Sequence, residues 1–153
     1  MKKIIFISIF LILNNCGYEA IYIKKDLNNI SIREHILNGN ESINRKIISL
    51  LNLKKVNKKD LFLYDLVLTS EKNRKVSSRD SLGNPSTYKI TVSVNFKLKN
   101  LNTEVKPFKT KEFTKSTMYN NMENKFDFSR YEKEIESNLI IKISEEIMIF
   151  MNS

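Results

Sequence analysis

The sequence predicts an α+β domain in which two helices pack on one face of a four-stranded mixed or antiparallel sheet, in the order β-α-β-β-β-α. Residues 87–98 alternate polar and apolar side chains without a break, which indicates a strand with one buried and one wet face. Two other stretches, 43–51 and 131–150, repeat apolar residues every three or four positions, as amphipathic helices do. With only 3 Gly and 2 Pro, the chain has no flexible interdomain linker, so we expect a single domain over residues 27–153.

Residues 1–15 have the composition of a removable export signal. Lys2 and Lys3 precede an apolar run over residues 4–13. At about 1.5 Å of rise per residue, this run is too short to cross a bilayer core of about 30 Å, but it has the length of a signal-peptide core. It ends in Leu-Asn-Asn-Cys, which resembles bacterial lipoprotein signals, where Leu lies three residues before the lipidated Cys. The pattern therefore predicts cleavage before Cys16 and a lipid, including palmitate, on that residue.

The cysteine content favours the same interpretation. Cys16 is the sole cysteine, so no internal disulfide is possible, and a lone thiol would be a liability in an oxidising compartment. A thioether bond to lipid removes that liability, and two or more acyl chains anchor a protein stably without a membrane-spanning helix. The alternative is an ordinary secretory signal followed by an incidental cysteine. We expect the lipidated form, with residues 16–26 as a tether to the domain.

No catalytic constellation is visible in the sequence, so we expect a protein that is not an enzyme and that carries no cofactor or metal. His35 is the sole histidine, and a lone histidine near a turn is usually solvated. With Cys16 lipidated, no thiol remains for a Cys/His metal set, and glycine is too rare to build a phosphate-binding loop. The net charge of +9 favours anionic partners, although an AT-rich genome, which encodes many Lys, Asn and Ile residues, also contributes. Nucleic acid is not expected in that compartment.

The first half of the domain predicts a strand, a helix and a second strand. Residues 27–32 form a short strand candidate with Ile30 and Ile32 on one face. Asn38-Gly39-Asn40 is a turn signal, and Asn40 is the expected N-cap of the helix. The helix presents one apolar face, and the strand at 61–69 alternates apolar residues; the residues concerned are Ile43, Ile47, Leu50 and Leu51 in the helix and Phe62, Tyr64, Leu66 and Leu68 in the strand.

The second half predicts a hairpin, a further strand and a long helix. A polar, basic stretch over residues 70–86 contains the turn signal Leu-Gly-Asn-Pro at 82–85. Residues 105–118 form a less regular strand, in which the opposite parity of Phe108 and Phe113 predicts a bulge. Ser129 and Glu132 have the spacing of a capping box at the start of the last helix. The apolar stripe of that helix comprises Tyr131, Ile135, Leu139, Ile143, Ile147 and Phe150, and is widened by Ile140, Ile141, Met148 and Ile149.

Two sets of polar residues are candidates for binding. The wet face of the strand at 87–98 carries Lys89, Thr91, Ser93 and Lys97. The stretch before the hairpin turn concentrates positive charge in Lys72, Arg74, Lys75 and Arg79, and such groups bind phosphate by charge-assisted hydrogen bonds. Alternatively, these four are ordinary solvated charges of a hairpin, in which case Lys109, Lys111 and Lys115 are the basic residues of the next strand that remain.

Three blocks of the sequence together resemble the LPS-assembly lipoprotein LptE family. Residues 16–22, Cys-Gly-Tyr-Glu-Ala-Ile-Tyr, are similar to the opening of its mature chains, although Glu-Ala stands where Pro is common. Arg79-Asp80, the following turn and the strand to Leu98 resemble its central hairpin. Residues 116–147, with Met-Tyr-Asn at 118–120, resemble its last strand and C-terminal helix. The Asn14-Asn15 pair departs from the small residues usual at the cleavage site.

This resemblance implies a function in the envelope of Gram-negative bacteria. LptE-like proteins plug the lumen of the β-barrel LptD, assist its assembly and help deliver lipopolysaccharide to the outer leaflet. Lys72, Arg74, Lys75 and Arg79 would then be lipopolysaccharide-binding candidates, and Lys89, Thr91, Ser93 and Lys97 would face the barrel. Because Gly17 rather than the retention residue Asp follows Cys16, we expect the outer membrane, with the domain facing the periplasm. The alternatives are an accessory lipoprotein subunit of another envelope lipid or solute transporter, and a purely structural envelope lipoprotein.

The anchor is testable by a single substitution. Cys16→Ser should abolish incorporation of radiolabelled palmitate and leave an unprocessed or soluble form, because Cys16 is the only residue able to form the thioether. Membrane fractionation of the unchanged protein should find it in the outer membrane. Label in the Cys16→Ser variant would contradict the assignment of Cys16.

Overall fold

The computed structural model describes residues 31–53, 63–100 and 109–152, and within them it has the predicted order of elements. The elements are β1 (Ser31–Gly39), α1 (Glu41–Leu51), β2 (Leu63–Arg79), β3 (Pro85–Asn100), β4 (Lys109–Asn120) and α2 (Lys125–Asn152). The predicted fold class, two helices with a four-stranded mixed sheet, is confirmed. The predicted signal, the tether and Cys16 lie outside the described residues.

The strands lie side by side in the order β1-β2-β3-β4. β1 runs parallel to β2, whereas β2, β3 and β4 are antiparallel to one another. β1 pairs only with the first half of β2, from Ser31 opposite Leu63 to Gly39 opposite Ser70. β2 and β3 continue together as a longer hairpin to the turn at residues 80–84. One end of the sheet therefore holds the start of β1, and the hairpin turn projects at the other.

The core lies between the sheet and the two helices. Ile90, Val92, Val94 and Phe96 of β3 are fully buried and form the centre of this layer. α2 contributes Leu139, Ile140, Ile143 and Ile147, and α1 contributes Ile43, Ile47 and Leu51. Edge-on aromatic contacts of Phe150 with Phe96 and Phe113 close one end, and Tyr88, Tyr119 and Phe128 pack together at the other. The predicted apolar stripes of both helices thus face the sheet, and Tyr131 and Ile149 lie at the exposed margins of the α2 stripe.

Helix α1 begins and ends at residues suited to those positions. The side chain of Asn40 accepts a hydrogen bond from the Ile43 backbone N–H at 3.2 Å, which confirms it as the N-cap. At the other end Asn52 adopts a left-handed conformation, with φ of 52°, and its N–H reaches back to carbonyls of the last turn. The helix is therefore limited at both ends by asparagine.

The junction of β1 and α1 is closely packed against β2. Gly39 has a positive φ of 76°, and a Cβ at this position would lie 2.1 Å from the carbonyl oxygen of Ser70. That carbonyl accepts from the Asn40 N–H at 2.9 Å, while the Ser70 hydroxyl donates to the Asn40 carbonyl, also at 2.9 Å. The buried Asn44 side chain donates to the carbonyl of Asn38 at 2.8 Å. Only glycine allows this approach.

The first strand differs from its predicted position. The sequence suggested residues 27–32, whereas β1 spans Ser31–Gly39, and residues up to 30 lie outside the described part. A register shift between Ile32 and Glu34 breaks the two-residue period, because it leaves Arg33 as an extra residue. Ile32 is buried and Leu37 packs against the core from the same strand, although their sequence separation is odd. Because of this bulge, the buried residues of β1 do not alternate in sequence, and the alternation of apolar residues did not predict the strand.

The second strand is longer than the alternation of apolar residues indicated. β2 continues through residues 70–79, for which the sequence predicts a polar stretch that contains the turn signal at its end rather than a strand. Lys72 and Arg74 occupy the positions that face the helices, where apolar residues would normally mark a strand. They reach carboxylates of α2, as described below, so the strand is supported by ion pairs rather than by apolar burial.

The last strand and helix also begin elsewhere than expected. β4 spans Lys109–Asn120 and pairs with β3 in one continuous register, so the bulge predicted between Phe108 and Phe113 does not occur from residue 109 onward. Phe108 itself lies outside the described residues. The capping box at Ser129 was wrong: α2 begins at Lys125, where the Asn124 side chain accepts from the N–H groups of Phe126 and Asp127 at 2.9 and 3.3 Å.

The close approach at Gly39 predicts that alanine costs more stability there than at Gly83, the other described glycine with a positive φ. A left-handed conformation costs an L-residue about 1–2 kcal/mol, and this cost applies to Gly39→Ala and Gly83→Ala alike. Gly83 has open space around it, whereas Gly39→Ala adds a clash that typically costs about 1–3 kcal/mol. Urea denaturation of the purified protein should therefore show the larger loss of unfolding free energy for Gly39→Ala. Equal losses would mean that the contact with Ser70 is relaxed without cost.

Candidate functional site

The candidate site is the face of the sheet opposite the helices, which we call the polar face. It follows from the alternation of β3: Lys89, Thr91, Ser93 and Lys97 point away from the core, whereas the intervening Ile90, Val92, Val94 and Phe96 are fully buried. All four predicted barrel-facing residues therefore share one face. Among the described residues, no helix or further strand packs on this face.

The flanking strands widen the polar face with more hydrogen-bonding groups. Across β3, Glu71, Asn73 and Lys75 of β2 stand opposite Ser93, Thr91 and Lys89. On the other side, Thr114 of β4 is paired with Ser93, and their hydroxyl oxygens are 2.9 Å apart. The side chains of β2 and β3 surround a shallow depression of about 330 Å³, lined by Glu71, Asn73, Lys75, Lys89, Thr91 and Ser93. Such a surface can donate and accept hydrogen bonds, and the exposed side chains of Ile36 and Met118 add apolar area at its margins.

Two lysines of the polar face stand directly opposite each other. Lys75 and Lys89 are cross-strand partners, and like charges in this relation destabilise a sheet. Neither forms an ion pair with any other described residue. The pair therefore concentrates positive charge where an anionic group would relieve the repulsion. Sequence reasoning missed this pair because residues 70–79 did not read as a strand, so no register connected Lys75 to Lys89.

The predicted basic cluster does not form one surface. Lys72 and Arg74 point toward the helix layer, where Lys72 Nζ lies 2.8 Å from Glu136 Oε2 and an Arg74 guanidinium nitrogen lies 2.9 Å from Glu132 Oε2. Lys75 points to the opposite, polar face. Arg79, at the end of β2, donates to the Gly83 carbonyl at 2.7 Å and belongs to the hairpin turn. The cluster was predicted from proximity in sequence, and strand alternation divides its members between two faces.

Arg74 is the most constrained of the four basic residues. The hydrogen bond and charge of Glu132 raise the pKa of the guanidinium above its ordinary value, so it stays charged throughout the accessible pH range. The guanidinium also lies 5.2 Å from the centre of the Tyr88 ring, within the range of a cation–π contact. Burial raises the pKa of the neighbouring Tyr119 hydroxyl. Arg74 thus fastens the hairpin to α2 and is not a freely available phosphate ligand.

Three lysines of β4 also point toward the helices. Lys115 forms an ion pair with Glu146 of α2. Lys109 and Lys111 lie over the Phe150 ring, at 5.8 and 5.4 Å from its centre. The alternative phosphate-binding residues of the sequence are therefore engaged by α2 on the helix side of the sheet.

The hairpin turn is built around Asp80. One carboxylate oxygen accepts from the N–H groups of Leu82 and Asn84, at 2.9 and 2.8 Å, and the other accepts from the Asn84 side-chain amide at 3.3 Å. The backbone hydrogen bond from Asn84, followed by the other donors, lowers the pKa of this carboxyl. The turn predicted at residues 82–85 is confirmed, and Asp80 is the residue that organises it.

A further ion pair lies at the β1 side of the sheet. Arg33, the extra residue of the β1 bulge, donates two hydrogen bonds to the carboxylate of Asp65, at 2.9 and 2.7 Å. The side chain of Asp65 is only 10% exposed, so the bidentate pairing offsets the cost of burying its charge. The contact raises the pKa of Arg33. Its place at the bulge indicates a structural role in holding β1 on β2.

Other classes of site have no support within residues 31–53, 63–100 and 109–152. No three His, Cys, Asp or Glu side chains come together there as metal ligands. None of the helices there combines the length and the apolar character that a membrane span requires. His35, the sole histidine, lies in β1 opposite Leu66 and is partly buried.

Known structures share this fold, whereas sequence comparisons give no relative. No model of a known protein family matches the sequence, and no curated protein sequence matches it. The crystal structure of rare lipoprotein B from Shewanella oneidensis is similar with a TM-score of 0.57 and 18% identity, over 78% of this chain and 93% of that one. The solution structure of lipoprotein B from Nitrosomonas europaea gives a TM-score of 0.57 and 12% identity, over 77% and 79%. The chain therefore has the fold of these lipoproteins.

Proposed function

We propose that this chain is a lipid-anchored outer-membrane lipoprotein of the LptE type, which occupies the lumen of an LptD-like β-barrel. In this role it would assist assembly of the barrel and delivery of lipopolysaccharide to the outer leaflet. The work is done by binding, with no chemical step and no cofactor beyond the lipid on Cys16. The similarity in fold to bacterial lipoproteins supports the proposal.

The observation that carries the proposal is the polar face. The sheet buries one face under the helices, and the depression on its other face is lined by hydroxyl, amide, ammonium and carboxylate groups. The lumen of a membrane β-barrel is polar as well. Hydroxyls such as those of Thr91 and Ser93 can both donate and accept hydrogen bonds, so they suit a surface that must match a polar wall.

The first described residue of the domain and its hairpin turn lie at opposite ends of the sheet. The described domain begins at Ser31, at the end of the sheet opposite the hairpin turn. β3 alone, from Asn100 to Pro85, spans about 50 Å at about 3.3 Å per residue. A lipid on Cys16 would be joined to the domain at its Ser31 end, opposite the hairpin turn.

Photo-crosslinking tests the polar face as the contact surface. A photoreactive residue in place of Ser93 should capture a high-mass outer-membrane barrel in cells, because Ser93 lies at the centre of the polar face. The matched position is Lys133, which is exposed on α2 and faces away from the sheet. We expect much stronger capture from position 93 than from position 133. No capture from 93 contradicts the plug, and capture of an inner-membrane ATPase complex favours the accessory-subunit alternative.

The binding site for lipopolysaccharide follows from the charges that remain available. Lys72 and Arg74 are held by α2, whereas Lys75 and Lys89 lie together on the polar face without a carboxylate partner among the described residues. Ammonium groups bind phosphate by charge-assisted hydrogen bonds. We therefore place the phosphates of lipid A at Lys75 and Lys89 rather than at the full set of four residues inferred from the sequence.

Binding across a salt series tests this placement. The double change Lys75→Ser and Lys89→Ser should weaken binding of purified protein to lipopolysaccharide and flatten its salt dependence, because it removes two charge contacts that salt screens. Lys72→Ser is the matched control: it removes the same charge from the same strand, but from a residue already paired with Glu136. Circular dichroism should show an intact fold in all cases. A larger effect of Lys72→Ser would move the site to the helix side.

A further inference from the structure

The outer half of β2 has an open edge. β1 ends at Gly39, opposite Ser70, and the chain turns there into α1. From Glu71 to Arg79, β2 pairs with β3 on one side, while no described strand lies on its other side. All of these residues are exposed. We call this segment of β2 the open edge. The position beside it is in line with β1 and could hold another strand.

The pairing at Ser70 shows which backbone groups the open edge presents. The Ser70 carbonyl points to the β1 side, where it accepts from the Asn40 N–H. Backbone groups of a strand point alternately to its two sides, so those of Lys72, Arg74 and Val76 also point outward. A register shift between Val76 and Ser78 ends this regular series. The open edge therefore offers a short ladder of donors and acceptors to another strand.

The open edge is held in shape although it lacks a neighbouring strand. Glu136 and Glu132 of α2 bind Lys72 and Arg74, and Arg74 also lies over the Tyr88 ring. Charged residues on an edge strand ordinarily prevent pairing with another chain. Here the two charges on the helix side are already neutralised, so they do not protect the edge. A partner strand would meet a rigid template and lose little binding energy to ordering it.

We propose that the open edge binds an extended, acidic segment of a partner protein, which adds to the sheet as a strand in line with β1. This is recognition by strand addition, in which main-chain hydrogen bonds supply affinity and alternate side chains supply specificity. The first half of β2 already accepts a strand in this way, since β1 pairs with it in parallel. The inference goes beyond the proposed function, because it holds whichever envelope protein supplies the segment.

Charge selects the occupant. On the polar face, side chains of the added strand would stand beside Glu71, Asn73 and Lys75, and the acidic residues of the partner would lie toward Lys75, which already faces Lys89, rather than beside Glu71. Carboxylates there would relieve the repulsion between the two lysines. On the helix side, Val76 is 40% exposed and would accept a small apolar side chain. A second copy of this chain is disfavoured, because it would bring another Lys75 and another Arg79 against the same edge.

The experiment uses the full-length, lipidated protein in detergent micelles and synthetic peptides as long as the open edge. The test peptide alternates glutamate with valine and threonine. One control has the same composition with its glutamates contiguous, and another has lysine in place of glutamate. Affinity is measured by fluorescence anisotropy of the labelled peptides. We expect the alternating acidic peptide to bind at least about tenfold more tightly than either control, since like charges and a broken pattern both oppose pairing.

Two variants separate strand addition from general electrostatic attraction. Val76→Pro removes one outward N–H without touching the ladder to β3, so it should weaken binding about fivefold, the value of one hydrogen bond. Val76→Thr keeps the N–H and should bind as the unchanged protein does. Lys75→Glu should reverse the preference between acidic and basic peptides, with an unchanged circular dichroism spectrum.

Several results would overturn the proposal. Equal binding of the three peptides, or equal binding by Val76→Pro and Val76→Thr, would show attraction without strand pairing. An unchanged preference in Lys75→Glu would exclude the polar side of the edge as the determinant. Sedimentation that shows a dimer dissociated by Val76→Pro would assign the open edge to a second copy. None of these results bears on photo-crosslinking from position 93, so the two proposals fail separately.

Discussion

The strict alternation of β3 is the constraint on which the remainder of the structure depends. β3 is the strand with neighbours on both sides along most of its length, and its inward residues are fully buried under the helices. Its outward residues form the centre of the polar face. A shift of one residue would expose Ile90 and Val92 and bury Lys89 and Thr91, at a cost no local rearrangement could offset. The core and the candidate site are therefore two sides of one strand and cannot vary independently.

The position of α2 follows from ion pairs as well as from apolar burial. Its carboxylates reach both flanks of the sheet: Glu132 and Glu136 bind residues of β2, and Glu146 binds Lys115 of β4. Exposed ion pairs individually stabilise a fold little. Together, however, they fix how the helix crosses the strands, because each carboxylate has a partner at only one place. They also explain why the basic residues of the helix side are unavailable to a ligand.

Those elements whose pattern is carried by apolar residues were predictable from the sequence. The strand at 87–98, the helix capped by Asn40 and the hairpin turn all match, since each rests on local periodicity or turn chemistry. β1 was not predicted because its bulge breaks the alternation of apolar residues. The outer half of β2 was not predicted because Lys72 and Arg74 stand where apolar residues would mark a strand. The polar face was predictable from β3 alone, whereas the pairing of Lys75 with Lys89 needed a register. Register depends on contacts distant in sequence, which periodicity does not contain.

The two halves of the sheet close over different distances along the chain. The turn around Asp80 brings β2 and β3 together within a few residues, whereas β1 joins β2 across a separation of about thirty residues and in parallel. Loop closure costs more entropy for the longer connection. We therefore expect the β2–β3 hairpin to form early in folding and β1, with α1, to dock last on the prepared strand. The close contact of Gly39 with Ser70 would then form in the last step of folding, because β1 can complete its pairing only when the glycine backbone packs against Ser70.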